Sequence, residues 1–257
     1  MIESRKIMDQ DILDYYAQSK VLEHYEEATV RVGLWDSEKI VFTMNLPDFS
    51  KSILELGCGC GRIAFGLSTL GYSKVKATDF SKIMLKRARA IAKRKNISVP
   101  ISFADARNLP FDSESVEGII FGFNGLMQIP GRTDRMTALK EIKRVLVPGG
   151  KFIFTTHDRG MTKWKKFWQT ERKRWRKNQQ GAKLHEFGDR FEQTHRGKLY
   201  LHVPEIQDVK DDLNTAGLLL EWEKMRSSII EERSQVKQYS DNCRFWVARK
   251  PDKVLKQ

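Results

Sequence analysis

Apolar positions in residues 1–50 recur at helical spacing: Ile12, Leu13 and Tyr16, then Val21, Leu22 and Tyr25. This pattern predicts amphipathic helices that end at Pro47. From residue 51 the period changes. Short apolar runs at 51–56, 75–78, 101–104, 116–123 and 151–156 read as strands, separated by amphipathic helices at 63–70, 81–95 and 132–146. Gly71 stops the first of these helices and Pro148-Gly149-Gly150 closes the third, while Ser81 is a credible N-cap for the second. The run at 116–123, VEGIIFGF, is apolar enough to be buried on both faces. Alternating strands and helices imply a parallel sheet covered on both sides, and right-handed crossovers make it doubly wound. After His157 the alternation breaks. A helix at 163–177, a hairpin pairing 187–191 with 198–203, a helix from Pro204 to Ala216 and strands at 218–222 and 244–248 complete the prediction.

The chain of 257 residues is long enough for one large domain, or a domain with a sizeable insert. Its net charge of +13 is concentrated in two places. Residues 81–95 hold seven bases and no acid, and residues 163–177 hold eight bases and one acid, so the remainder nets to −1. The basicity therefore belongs to two predicted helices. No run approaches the roughly 18 apolar residues that span a bilayer, so no membrane span is expected. The N-terminus lacks an apolar core before a small-residue cleavage site, so no signal peptide is expected either. Cys58, Cys60 and Cys243 lack the paired spacing of a zinc site, and reduced thiols in a cytoplasmic protein are the expectation.

The stretch 53–62, ILELGCGCGR, concentrates the chemistry. Alternate glycines after a buried strand let the main chain approach a ligand and turn into a helix whose first N–H groups point at it. A tight turn with no ligand would not need three glycines. Gly59, Gly61 and Ala64 also fit the dinucleotide pattern G-x-G-x-x-A, so a nicotinamide cofactor stays open on the loop alone. Arg62-Ile63 does not fit a P-loop. Ligands of doubly wound sheets sit beyond the carboxyl ends of the strands. The glycine loop, Asp79, Asp105, Phe123-Asn124 and His157 all fall there.

The string E-L-G-C-G-C-G-R resembles motif I, acid-x-G-x-G-x-G, of the class I S-adenosylmethionine-dependent methyltransferases. The likeness continues in ATDFS, DFSKIML, FADARNLPF, VLVPGGKFIFTTH and LHVPEIQDVKDDLNTAGL, covering roughly residues 51–157 and 200–250. Glu117 departs from the Asp that the family often has there. The resemblance implies a Rossmann-like fold: α/β, doubly wound, with a mostly parallel seven-stranded sheet. It implies a helical cap over 1–50, a cofactor-binding core over 51–157 and completion of the sheet over 204–250; the segment 158–203, a basic and aromatic helix with a hairpin, is an insert after the fifth strand and a candidate lid. It further implies S-adenosylmethionine as cofactor. Asp79 would take the ribose hydroxyls, Met84 would lie against adenine beside Phe80, and Asp105-Ala106 would meet the adenine amine. Gly57, Cys58, Gly59 and Gly61 would form the loop, with Glu55 holding it or the methionine amine and Arg62 facing the methionine carboxylate. Phe123 and Asn124 would be further cofactor contacts. An N-terminal helix often covers the cofactor in this family, which makes Tyr16 a contact, with Tyr15, Tyr25 and Trp35 as companions.

Methyl transfer from a sulfonium is an in-line displacement that needs alignment and no metal. His157, after the fifth strand, is the candidate general base, with His202 as a second; either could be structural. The segment KWKKFWQTERKRWRK puts Trp164, Trp168, Glu171 and Trp175 near one helical face, with Phe167 adjacent. Such a helix packs its stripe on the domain, covers a substrate, or meets RNA or a membrane interface. Phe123-Asn124-Gly125-Leu126 lacks the Pro-Pro-aromatic of amino-methyltransferases, and no Pro-Cys dipeptide or double-Glu loop occurs. A small-molecule acceptor is therefore expected. The alternatives are an RNA methyltransferase using helix 163–177, a non-catalytic S-adenosylmethionine-binding protein, and a nicotinamide reductase.

Overall fold

A computed structural model describes residues 6–194 and 196–253. Seven strands form one sheet in the order β3-β2-β1-β4-β5-β9-β8. They are β1 (Ser52–Glu55), β2 (Lys74–Asp79), β3 (Ile101–Phe103), β4 (Val116–Phe121), β5 (Leu146–Thr156), β8 (Leu219–Met225) and β9 (Arg244–Arg249). The first five pair in parallel, and β9 runs antiparallel to both β5 and β8. This is the doubly wound, mostly parallel seven-stranded sheet expected.

The period-two pattern explains the two cores. Ile53, Ile120, Ile153, Phe245 and Val247 point to one side, where they meet the N-terminal helices, α4 (Arg62–Thr69) and α5 (Lys82–Lys95). Their neighbours Leu54, Ile119, Phe152, Phe154 and Trp246 point to the other, against α6 (Arg132–Val145) and α8 (Ile206–Ala216). Ser81 caps α5 by accepting the Met84 N–H, and Asn96 ends it in the left-handed conformation. Glu117, the departure from the family pattern, accepts the Ser52 N–H at 2.8 Å and ties β4 to β1.

The N-terminal cap is α1 (Asp9–Tyr16), α2 (Ser19–Glu27), a π-helical turn at Ala28–Val32 and α3 (Asp36–Asn45). One buried ion pair fastens it to the core. Arg62, the first residue of α4, meets both oxygens of Glu38 on α3 at 2.6 Å and donates to the Gly33 carbonyl at 3.0 Å. Its guanidinium lies 4.5 Å from the Trp35 ring, whose environment also holds Arg226 at 4.7 Å. Glu38 in turn accepts the Trp35 N–H at 2.9 Å and so caps its own helix.

The insert holds a short turn at Thr162–Trp164, α7 (Lys165–Arg176) and a hairpin of β6 (Asp189–Thr194) and β7 (Gly197–His202). The first strand of the hairpin begins and ends later than the periodicity suggests, and the second begins and ends one residue earlier. Trp168 of α7 is buried with Met127, Leu201 and Val203, and Phe187 packs edge-on to it at 5.9 Å. The stripe of tryptophans thus faces the domain. α9 (Ser234–Tyr239), between the last two strands, has too short an apolar pattern to be read from sequence.

Replacing Arg62 alone with Met leaves the Glu38 carboxylate buried and uncompensated. We expect a loss of about 3–5 kcal/mol in urea unfolding, with part regained when Glu38→Gln is added. A single-substitution loss below about 1 kcal/mol, the range of exposed pairs, would contradict the fastening role.

Candidate functional site

The carboxyl ends of β1 to β4 open into one cleft roofed by α1 and α2. Leu56, Gly57 and Gly59 come from the loop after β1, and Thr78, Asp79, Phe80, Ser81 and Met84 from the end of β2 and the start of α5. Ala104, Asp105, Ala106 and Arg107 follow β3; Phe121, Gly122, Phe123 and Gly125 follow β4. The roof supplies Asp9, Ile12, Leu13, Tyr16 and Tyr25.

Asp79 organises the floor. Its carboxylate accepts the Gly59 N–H at 2.7 Å and the Ser81 N–H at 2.7 Å. Burial pushes its carboxyl above the usual range, and the amides of Ser81, Gly59 and Phe80 offset part of that. The three glycines differ in their reasons. A Cβ on Gly57 would lie 2.8 Å from the Phe121 ring, and one on Gly61 would lie 2.4 Å from Phe65, both at positive φ. The protein's own rings therefore require those two. Gly59, at φ +54°, would meet only Tyr25, at 3.7 Å, so its open side faces the cleft.

Asp105 and Arg107 form the rim. Arg107 donates to Asp105, to Asp9 of α1 and to Asp134 of α6, with 2.6 Å contacts to each. Partial burial would raise the Asp105 carboxyl, but its hydrogen bonds to Arg107 outweigh that and hold it low. Arg107 also lies 5.7 Å from the Phe80 ring. Overhead, the Tyr16 hydroxyl is hydrogen-bonded to Tyr25, and the rings meet edge-on at 5.6 Å. Burial raises both hydroxyls, Tyr25 to about 12, so both remain protonated near neutrality. Tyr25 also packs edge-on to Phe123 at 5.7 Å. Phe123 and Asn124 are consecutive left-handed residues, the backbone strain typical of a ligand wall.

Of the residues singled out from sequence, Tyr16, Gly57, Gly59, Asp79, Phe80, Met84, Asp105, Ala106 and Phe123 share this cleft. Six do not line it. Glu55 is 2% exposed and accepts the Ala64 N–H at 2.8 Å, so it holds the first turn of α4. Cys58 gives its N–H to the Thr78 carbonyl, and burial raises both loop thiols, Cys60 to about 12, which leaves them unreactive fillers. Gly61 turns into α4 beneath Phe65. Arg62 is committed to Glu38, which removes it as a partner for a ligand carboxylate. Asn124 donates to the His157 ring at 3.3 Å. His157 has its other ring nitrogen 3.4 Å from the Asn242 carbonyl, and burial lowers its pKa. It lines a separate small cavity with Trp164, Trp168 and Arg190, not the cleft. His202 is bound at 2.8 Å to Asp189, which also accepts the Tyr200 hydroxyl at 2.9 Å. Neither histidine lines the cleft, and neither does α7; the N-terminal helices α1 and α2, the cover that the resemblance implies, roof it instead of the insert. The insert braces that roof: His185 meets the Ile7 carbonyl at 2.8 Å and α1 packs on β7.

Sequence reasoning missed Asp9, Gln128 and the Arg107 hub. Only Arg107 left a trace, as a base two residues after the acid Asp105, where an Asx-type turn brings the two together.

A family profile described as a methyltransferase domain matches residues 53–150. The chain is 38% identical over 119 residues to a demethylmenaquinone methyltransferase of Staphylococcus epidermidis, covering 44% of this chain and 46% of that one. It is 43% identical over 107 residues to one of Lactococcus lactis, covering 40% of each. It is 34% identical over 127 residues to a ubiquinone/menaquinone biosynthesis C-methyltransferase of Rickettsia massiliae, covering 47% and 48%. The chain thus spans about half the length of these curated relatives. Among solved structures, an S-adenosylmethionine-dependent methyltransferase from Methanosarcina mazei aligns with a TM-score of 0.68 at 18% identity, over 86% of this chain and all of that one. A [4+2]-cyclase aligns at 0.66 and 16%, over 97% and 98%. At such identities the likeness establishes the fold alone.

Buried Glu55 generates a pH prediction. Burial raises its pKa from 4.5 to about 8. Its native form keeps a proton that the unfolded chain releases, so its stabilisation is complete at low pH and is lost as pH climbs from about 4.5 to about 8. Urea midpoints of the Glu55→Gln variant should lack this decline; an identical slope in both proteins would contradict the assignment.

Proposed function

We propose that this chain, a class I S-adenosylmethionine-dependent methyltransferase through its domain at residues 53–150, methylates a small, planar, largely apolar acceptor in the cleft beneath α1 and α2. The observation that carries this reading is the convergence in one cleft of an amide-oriented carboxylate, an open glycine, a rim carboxylate and an aromatic roof. These donors and acceptors match the cofactor end to end. Asp79 would accept ribose hydroxyls, as a charge-assisted acceptor already oriented by Gly59 and Ser81. Met84 and Phe80 would flank adenine, with Asp105 and Ala106 at its amine edge. The open side of Gly59 and the faces of Tyr16 and Tyr25 would surround the methionine end, where aromatic faces favour a positive sulfur. When bound, S-adenosylmethionine supplies an electrophilic methyl whose sulfur leaves as a neutral thioether.

The chain's own contribution is positioning and exclusion of water. Ile12, Leu13, Tyr16, Tyr25, Phe123 and Ile129 make an apolar and aromatic wall suited to a flat ring. Asp9 and Asp105 are held by Arg107, and Asp79 by amides, which leaves Gln128, whose side-chain oxygen is buried without a partner, and the two protonated tyrosines as polar groups able to orient an acceptor oxygen. The names of the relatives, demethylmenaquinone methyltransferase and a quinone-biosynthesis C-methyltransferase, favour a hydroquinone ring carbon as the acceptor atom, which takes the methyl and gives up its hydrogen to solvent as a proton. The RNA reading loses support because the aromatics of α7 face inward.

The test is transfer of labelled methyl from S-adenosylmethionine to a panel of small hydroxyarenes and hydroquinones, with an RNA pool alongside. Label on a ring carbon is expected; label on RNA alone, or no turnover, would overturn the proposal. Asp79→Asn should weaken cofactor binding about tenfold to a hundredfold, since a charged hydrogen bond contributes about 1.5–3 kcal/mol. Unchanged affinity by calorimetry would remove Asp79 from the site.

A further inference from the structure

We propose that the outward face of α7 is an electrostatic docking surface for a lipid bilayer carrying anionic head groups. The inference rests on the reading of an apolar acceptor, which partitions into such bilayers. Lys165, Lys166, Lys173, Arg176 and Lys177 are all exposed, and none forms an ion pair among the described residues. At 100° per residue they fall within an arc of about 120° and no acid lies among them. The opposite side of the helix carries Trp168, Glu171 and Trp175 against the domain. The other bases of the segment are paired: Lys163 with Asp241, Arg172 with Glu205 and Arg174 with Glu171. Five uncompensated cations on one face therefore remain after the fold has used what it needs.

The aromatic rings decide between partners. Trp168 is buried, and Arg190 lies 4.2 Å from the Trp164 ring and 5.2 Å from Phe167. The cationic arc thus presents charge with no ring beside it. Single-stranded RNA recognition needs stacking surfaces; an anionic bilayer attracts spread cations directly. Because the apolar side is packed on the hairpin, the helix cannot insert, so attachment is reversible and salt-sensitive. Its place in the fold suits delivery of an apolar acceptor. α7 follows the carboxyl end of β5, the same sheet edge at which the cleft opens. The hairpin carrying α7 supports α1, which lines the cleft.

The full chain is sedimented with phosphatidylcholine vesicles with and without phosphatidylglycerol, at low and high salt. Binding is expected only with the anionic lipid at low salt. Lys166→Glu with Lys173→Glu should weaken it by about tenfold or more. Lys86→Glu with Lys93→Glu, a matched pair on the exposed face of α5, should leave it in place. Calorimetry with S-adenosylmethionine should be the same for all three proteins; if the unsubstituted chain binds no cofactor, the enzymatic reading fails separately from the docking one. No binding to anionic vesicles, equal loss in the α5 variant, or tight binding of an RNA oligonucleotide without vesicle binding would each overturn the proposal.

Discussion

A single carboxylate sets the geometry from which the site follows. Asp79 ends β2, and its two oxygens take the amides of Gly59, from the loop after β1, and of Ser81, the cap of α5. Three elements are thereby locked at the carboxyl edge of the sheet. Burial raises the pKa of Asp79, the amides that hold it offset part of that, and they also aim it. Such a group recovers stabilisation when further O–H donors arrive, which is why a ribose fits there.

Around this floor, two charge clusters hold the N-terminal cap. Arg62 and Glu38 fasten α3 to the helix that leaves the glycine loop. Arg107 gathers Asp9, Asp105 and Asp134 and so ties α1 to the rim. The two are not equivalent energetically. The first is buried and depends on both partners being present. The second is partly exposed and screened, so each of its contacts contributes less.

The sheet and its cofactor edge were legible in the sequence because both rest on local patterns. Ile53 and Leu54 announce opposite faces by adjacency, and an acid at the end of the second strand, Asp79, needs no distant partner to be noticed. What was not legible depends on pairings across the chain. Arg62 reads as a ligand contact until Glu38, 24 residues earlier, is seen to claim it. His157 stands at the right strand end, yet Asn124 and the Asn242 carbonyl turn its ring into another cavity. The spacing marks Gly57 and Gly61 as necessary, but the atoms that require them belong to Phe121 and Phe65. The tryptophan stripe of α7 is visible by period; that it would meet Phe187, and so take no part in the roof, is a matter of tertiary packing.

Titration calorimetry of the folded chain with S-adenosylmethionine, its demethylated product and a nicotinamide dinucleotide is the most direct measurement of the central claim. Saturable heat from the first two, at one site per chain, with none from the dinucleotide, is the predicted result. Silence from both sulfur compounds, with saturable binding of the dinucleotide, would contradict the account.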